Sequence, residues 1–215
     1  MYRTDERIEQ LADRVREHLG FRKQACPDMV TAIYKMKDRG LIADYRRVPD
    51  VDLPDDLGRF DPDTRILSIR ESTFIAANEV LRFSPDRARA RFTIAHELGH
   101  AVLGHKRTRN RSVSGREIER IARPILQDEA EANRFAAAFL VPYDFTTYGL
   151  NPEQLATRYG VSLSVARIRK PVLDHLHRLR NKILRPLPDE IVTYLRQARA
   201  QGHPVRSLPP ETDDR

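Results

Sequence analysis

With 215 residues, 40% hydrophobic and 32% charged, the chain is sized for one compact domain with short appendages rather than two large domains. No apolar run approaches the roughly 20 residues that span a bilayer, and the charged stretch Met1 to Gln10 lacks the apolar segment of a secretory leader, so a cytoplasmic protein with no membrane partner is expected. The lone Cys26 excludes an internal disulfide, and a net charge of +7 spread along the chain permits nucleic acid without arguing for it.

From Ile8, the apolar residues Leu11, Ala12, Val15 and Leu19 recur at helical spacing and Gly20 supplies a stop, which predicts an amphipathic opening helix. Met29, Val30, Ile33 and Tyr34 predict a second helix ending near Gly40, followed by an extended stretch from Leu41 to Val48. Arg59 and Phe60, the turn residues Asp61, Pro62, Asp63 and Thr64, and the run Arg65 to Ile69 read as a β-hairpin, so a small sheet is expected.

The next helix announces itself with Ser84 as N-cap, Pro85 at its first position and Asp86 in its first turn. It carries His96-Glu97-Leu98-Gly99-His100. At about 100° per residue the two histidines share a face one turn apart, so both imidazoles reach one tetrahedral ion, with Glu97 beside them as the candidate catalytic base. Ile94, Ala95, Leu98, Ala101 and Val102 fall on the opposite side, where they can pack on a core.

Two histidines leave a catalytic zinc one protein ligand short. Ala101-Val102-Leu103-Gly104-His105 misplaces the glycine and third histidine of the metzincin pattern, which turns attention to a glutamate on a later helix. Asp128 to Leu140, before Pro142, is such a helix, with the apolar stripe Ala132, Phe135, Ala136, Phe139 and Leu140. Glu129 lies about 50° from the middle of that stripe and Glu131 about 110°, so Glu129 points inward more directly and Glu131 reads as a solvated acid. Asn133, one turn on from Glu129, is placed to orient a liganding group. His105 reads as an exposed helix-end residue; with Tyr143 and Tyr148 it also lies in a segment that could supply a transition-state donor.

Further on, Gln154 to Arg169 has the cadence of a helix-turn-helix with Gly160 in the turn, followed by a basic run of Arg167, Arg169, Lys170, Arg178, Arg180, Lys182 and Arg185. Arg169 occupies a position where a DNA-binding unit buries an apolar side chain, and Pro171 is expected to shorten the second helix, so a helical hairpin packed on the core is preferred to DNA binding. Pro204, Pro209 and Pro210 among charges predict a disordered tail. The resulting division is an N-terminal helical segment over 1–40, a core over 41–150, a helical C-terminal segment over 151–200 and the tail over 201–215.

Two stretches, Arg91 to His100 and Glu129 to Pro142, together with the hairpin between Gly58 and Ile69, resemble the ImmA/IrrE type of bacterial zinc metallopeptidases over about residues 40 to 145. The resemblance implies an α+β, zincin-like fold in which a small sheet supports an HEXXH helix and a glutamate-bearing helix. It implies Zn²⁺ as cofactor, His96 and His100 joined by Glu129 as ligands, and cleavage or inactivation of a helix-turn-helix repressor or antitoxin in a transcriptional stress response. It also implies that the substrate's main chain aligns on a sheet edge, expected at the strand Arg65 to Ile69. Relatives often carry a histidine one place before His105, a departure that leaves the role of His105 open.

Overall fold

The computed structural model of the chain describes residues 3–79, 84–106, 117–183 and 187–205. Arg185 of the basic run and the expected tail from 206 onward lie outside the described residues. The chain separates into two units, Met1–Leu176 and His177–Arg215.

In the first unit, α1 (Asp5–His18) is capped by the Thr4 side chain, which accepts from the Arg7 amide, and carries Asp5 and Glu6 at its positive end. Ile8, Ala12, Val15 and Leu19 are buried, as their spacing predicts. Asp28 caps α2 (Met29–Asp38) by accepting from the Thr31 amide. Strands β1 (Asp44–Val48), β2 (Gly58–Asp61) and β3 (Ile66–Arg70) form a sheet in the order β1-β3-β2. β3 pairs parallel with β1 and antiparallel with β2, so that Leu67 faces Tyr45 on one side and Phe60 on the other. Leu67 and Ile69 are fully buried while Ile66, Ser68 and Arg70 are half-buried, the period-two pattern of a strand with one face on the core.

Helix α3 (Glu71–Asn78), for which the sequence gives no clear periodic signal, follows β3 directly and packs on α4 (Pro85–Leu103). Against α4 lies α5 (Glu117–Leu140), which extends back through Pro124, well before Asp128. The short α6 (Phe145–Tyr148), then α7 (Pro152–Tyr159) and α8 (Leu163–Arg180) follow. Asn151 and Gln154 form a reciprocal capping box at the start of α7, and Gly160 takes a left-handed conformation between α7 and α8. Pro171 does not end α8, contrary to expectation. The missing hydrogen bond costs about 3 kcal/mol, but Ala166, Leu173 and Leu176 on the same helix are buried, and full burial of each leucine is worth about 1.5–3 kcal/mol. The second unit contains α9 (Asp189–Ala200). Among the described residues no helix is long and apolar enough to cross a membrane.

Three buried arginines tie the helices together, a feature invisible to hydrophobic patterning. Arg16 donates to the carbonyls of Phe139 at 2.6 Å and Phe21 at 3.1 Å, and also to that of Gln24. Arg91 donates to Pro27 O at 2.6 Å, Gly160 O at 3.1 Å and Tyr159 O at 3.2 Å. It thereby satisfies the orphaned carbonyls at the end of α7 and fastens that helix to α4. Arg169 pairs with Glu9 at 2.5 Å and donates to Val141 O at 2.9 Å, so the cation that argued against a DNA-reading helix is spent inside the protein.

Removing the guanidinium of Arg91 leaves three carbonyls without their donor. Because hydrogen bonds from a charged group contribute about 1.5–3 kcal/mol each, Arg91→Ala should destabilise the fold by about 3 kcal/mol or more in urea denaturation. Arg91→Lys, which can keep only part of the set, should fall between that variant and wild type; wild-type stability in Arg91→Ala would disprove the stapling role.

Candidate metal centre

The site is built on the crossing of α4 and α5. Gly99 lies against α5 so closely that a Cβ there would stand 3.2 Å from both the Cα and the carbonyl oxygen of Ala132, and 3.2 Å from Phe135. Close approach requires glycine at this point of the His96 to His100 motif. Ala132, Phe135, Ala136, Phe139 and Leu140 are all fully buried, as their stripe predicts, and this orientation turns Glu129 toward the histidines.

Among the described residues, His96, His100 and Glu129 form a group whose ligand atoms lie within 4.8 Å of one another. His96 Nε2 is 2.9 Å from His100 Nε2, while Glu129 Oε2 and Oε1 stand 3.4 Å from His96 Nε2 and 3.7 Å from His100 Nε2. Donors about 2.0–2.1 Å from a tetrahedral ion are about 3.3 Å from each other. The three separations bracket that value, so two imidazoles and a carboxylate fit a divalent cation in both chemistry and spacing. The far nitrogen of His96 is fixed: Nδ1 donates to Asn133 Oδ1 at 2.9 Å, the orienting contact expected of Asn133.

Glu97 is buried, and Oε2 accepts from the Phe60 amide of β2 at 2.7 Å. Burial pushes its carboxyl up to about 7, opposed by His96 and the Phe60 amide. A carboxylate with that affinity takes and returns a proton near neutral pH. Burial, reinforced by the neighbouring His96, pushes His100 down to about 4, which keeps its ring neutral. For His96 burial works in the same direction, but Glu129, Glu97 and Asn133 outweigh it and raise the ring above its ordinary value.

These groups line a cleft of about 310 Å³ whose opposite wall is Asp55 to Phe60 and Pro62. Phe60 is on the outer side of edge strand β2, because its amide points away from β3 to reach Glu97. β3, the strand expected to align a peptide, is central and paired on both sides, so the edge beside the cleft is β2.

One acid and one histidine differ from their local reading. Glu131 is buried rather than solvated, accepting from the Arg3 amide at 2.9 Å and the Arg3 guanidinium at 2.5 Å. Burial raises its carboxyl, yet the Arg3 and Gln127 contacts prevail and hold it at about 2. His105 is likewise buried, with Nδ1 2.9 Å from His100 Nδ1 and Nε2 facing Glu131 and Asp128. The contacts of Glu131 come from a residue 128 positions away, which no local pattern contains; for His105 the glycine before it was the available signal. Neither Tyr143 nor Tyr148 lines the cleft: Tyr143 packs on the core and Tyr148 lies beneath the Lys170 ammonium.

The family model described as Peptidase_M78, IrrE N-terminal-like domain, matches residues 59–170, just over half of the chain and inclusive of every residue of the cluster. Among solved structures, a Mycobacterium tuberculosis transcriptional regulator is similar at 22% identity and a TM-score of 0.47, over 74% of this chain and 44% of that one. The chain therefore spans less than half the length of that regulator. No curated protein matches the sequence.

Gly99→Ala separates helix propensity from helix approach. The substitution gains about 1 kcal/mol of propensity but meets the α5 backbone, where overpacking costs about 1–3 kcal/mol. A net loss of up to about 2 kcal/mol is expected, with a larger proportional loss in affinity for an added divalent cation as Glu129 moves away from the histidines. A variant with unchanged affinity for that cation by chelator competition would show that the close approach does not set the site.

Proposed function

We propose, from the premise that the chain belongs to the Peptidase_M78 family of IrrE N-terminal-like domains, that it is a zinc-dependent peptidase acting on a helix-turn-helix repressor or antitoxin in the cytoplasm. The observation that carries the catalytic part is the convergence of His96, His100 and Glu129 beside a buried Glu97. The substrate class rests on the family resemblance.

Zn²⁺ at the three ligands would supply Lewis acidity, lowering the pKa of a water and polarising a peptide carbonyl. Glu97 receives the water proton and delivers it to the departing amine, one carboxylate serving both steps. The Phe60 amide holds that carboxylate in place against the strand. A substrate main chain lies along the outer edge of β2, where Phe60 presents its carbonyl on the same side as its amide. The α7–α8 hairpin serves folding or partner docking, a reading supported by the internal contacts of Arg169 and by Lys170, which donates to Tyr148 O and pairs with Asp174.

Glu97→Gln keeps the shape and removes the proton acceptor. Zinc content and fold should persist while cleavage of a co-expressed neighbouring repressor, followed by mass spectrometry, falls by about 10²-fold or more. Wild-type cleavage by this variant with zinc bound would end the general-base assignment. If neither form cleaves a repressor that both bind tightly, a non-proteolytic regulator replaces the peptidase. Glu129→Ala should sharply weaken zinc binding, and full stoichiometry at wild-type affinity in that variant would remove it from the ligand set.

A further inference from the structure

We infer that an apolar pocket beside the candidate metal centre receives a large uncharged side chain of the substrate residue adjoining the scissile bond, and that Ile168 at its mouth sets this preference. The inference rests on the peptidase reading proposed above and gives the α7–α8 hairpin a part in it.

Helix α8 has one more apolar row than its packing needs. Ala166, Leu173 and Leu176 are buried together with the Arg169 guanidinium and hold the helix on the core. Val165, Ile168 and Val172, spaced three and four residues apart, form a second row on the neighbouring face. Val165 and Val172 are half-buried, but Ile168 is 73% exposed, an isoleucine that the core does not use.

This second row walls a pocket of about 370 Å³ that Phe92 of α4 and Ala137 of α5 help to close. Phe92 also lines the cleft that holds His96, Glu97 and Glu129, so the pocket and the cleft share a wall. Asn133, which fixes His96, stands in the pocket lining as well. Phe92 lies one turn before His96 on α4, and Asn133 one turn after Glu129 on α5, so both helices carry the pocket to the same side of the three donors. One turn is about 5.4 Å, a span that the side chain of a residue next to the scissile bond covers.

Size and charge define the occupant. An apolar cavity of about 150 Å³ holds a benzene molecule, so this pocket admits a leucine, methionine or phenylalanine side chain with room to spare. The charged residues of its lining are paired with one another, Arg169 with Glu9 at 2.5 Å and Arg134 with Asp5 at 2.9 Å. A charged side chain entering here gives up water with no partner waiting, whereas an apolar one gains by leaving water.

The test has a binding arm and a cleavage arm. In the methyl-labelled wild-type chain, N-acetyl-leucine amide should shift the methyl resonances of Val165, Ile168 and Val172, and the matching aspartic acid derivative should leave them in place. With zinc supplied and a peptide library followed by mass spectrometry, the wild-type chain should favour leucine, methionine or phenylalanine over aspartate at one position adjoining the cleaved bond by about 10-fold or more. Ile168→Glu, a change at an exposed position, should lower cleavage at those sites by about 10–100-fold and move the preference toward lysine and arginine. Ala137→Leu, which narrows the pocket, should move it toward valine and alanine; should that variant not fold, Ile168→Glu decides. An unchanged preference in Ile168→Glu, or wild-type methyl resonances that the leucine derivative does not move, overturns the inference. So does a self-associating wild-type chain that Ile168→Glu converts to a monomer, since the face then belongs to a second copy. If the zinc-loaded wild type cleaves no peptide, the peptidase reading falls on its own, while methyl shifts with the leucine derivative and none with the aspartic acid derivative still support a pocket for apolar side chains.

Discussion

Everything at the cleft depends on two helices meeting at a point where one of them has no side chain. Where α4 crosses α5, Gly99 faces the backbone of Ala132. Glycine in a helix interior sacrifices about 1 kcal/mol relative to alanine, and here the sacrifice brings a carboxylate on one helix to within 3.7 Å of imidazoles on the other. The same crossing buries Leu98, Phe135 and Phe139, so the spacing of the candidate ligands and the core are set by one packing event. The glycine between the two candidate histidine ligands thus acts through shape.

Around the three donor atoms the protein arranges a ring of fixed partners. Asn133 holds His96, His105 contacts His100, and the Phe60 amide holds Glu97. Two of these partners are on the helices that supply the ligands or just beyond them, and the third comes from the sheet. Each imidazole keeps its inner nitrogen toward the cleft because its outer nitrogen already has a neighbour. Such preorganisation lowers the entropic cost of assembling a metal site.

Much of this was legible in order along the chain. Helical periodicity and caps located α1, α2 and α4, and the Asp61-Pro62-Asp63-Thr64 turn located the hairpin, because those signals are local. His96, His100 and Glu129 converge as spacing and helix phase indicate, and Asn133 stands where phase puts it. What escaped was non-local. Nothing near Glu131 in sequence announces Arg3, and nothing in the strand Arg65 to Ile69 says that β1 will pair on its far side. His105 failed for a different reason. Helical phase was extended through a residue that the left-handed Gly104 takes off the helix, so an apparent surface histidine turns underneath its neighbour.

The buried arginines give the molecule an unequal response to protons. Arg16 and Arg91 donate to main-chain carbonyls in the contacts described above, and neither guanidinium nor carbonyl titrates over the range in which proteins are handled. The cleft is made of imidazoles and carboxylates, which do. As acid is added, these two braces keep their strength, whereas the Arg169–Glu9 pair and the candidate donor set contain groups that take up protons. The donor atoms at the cleft and the braces made by Arg16 and Arg91 thus answer to protons differently, although both lie on the same helices and loops.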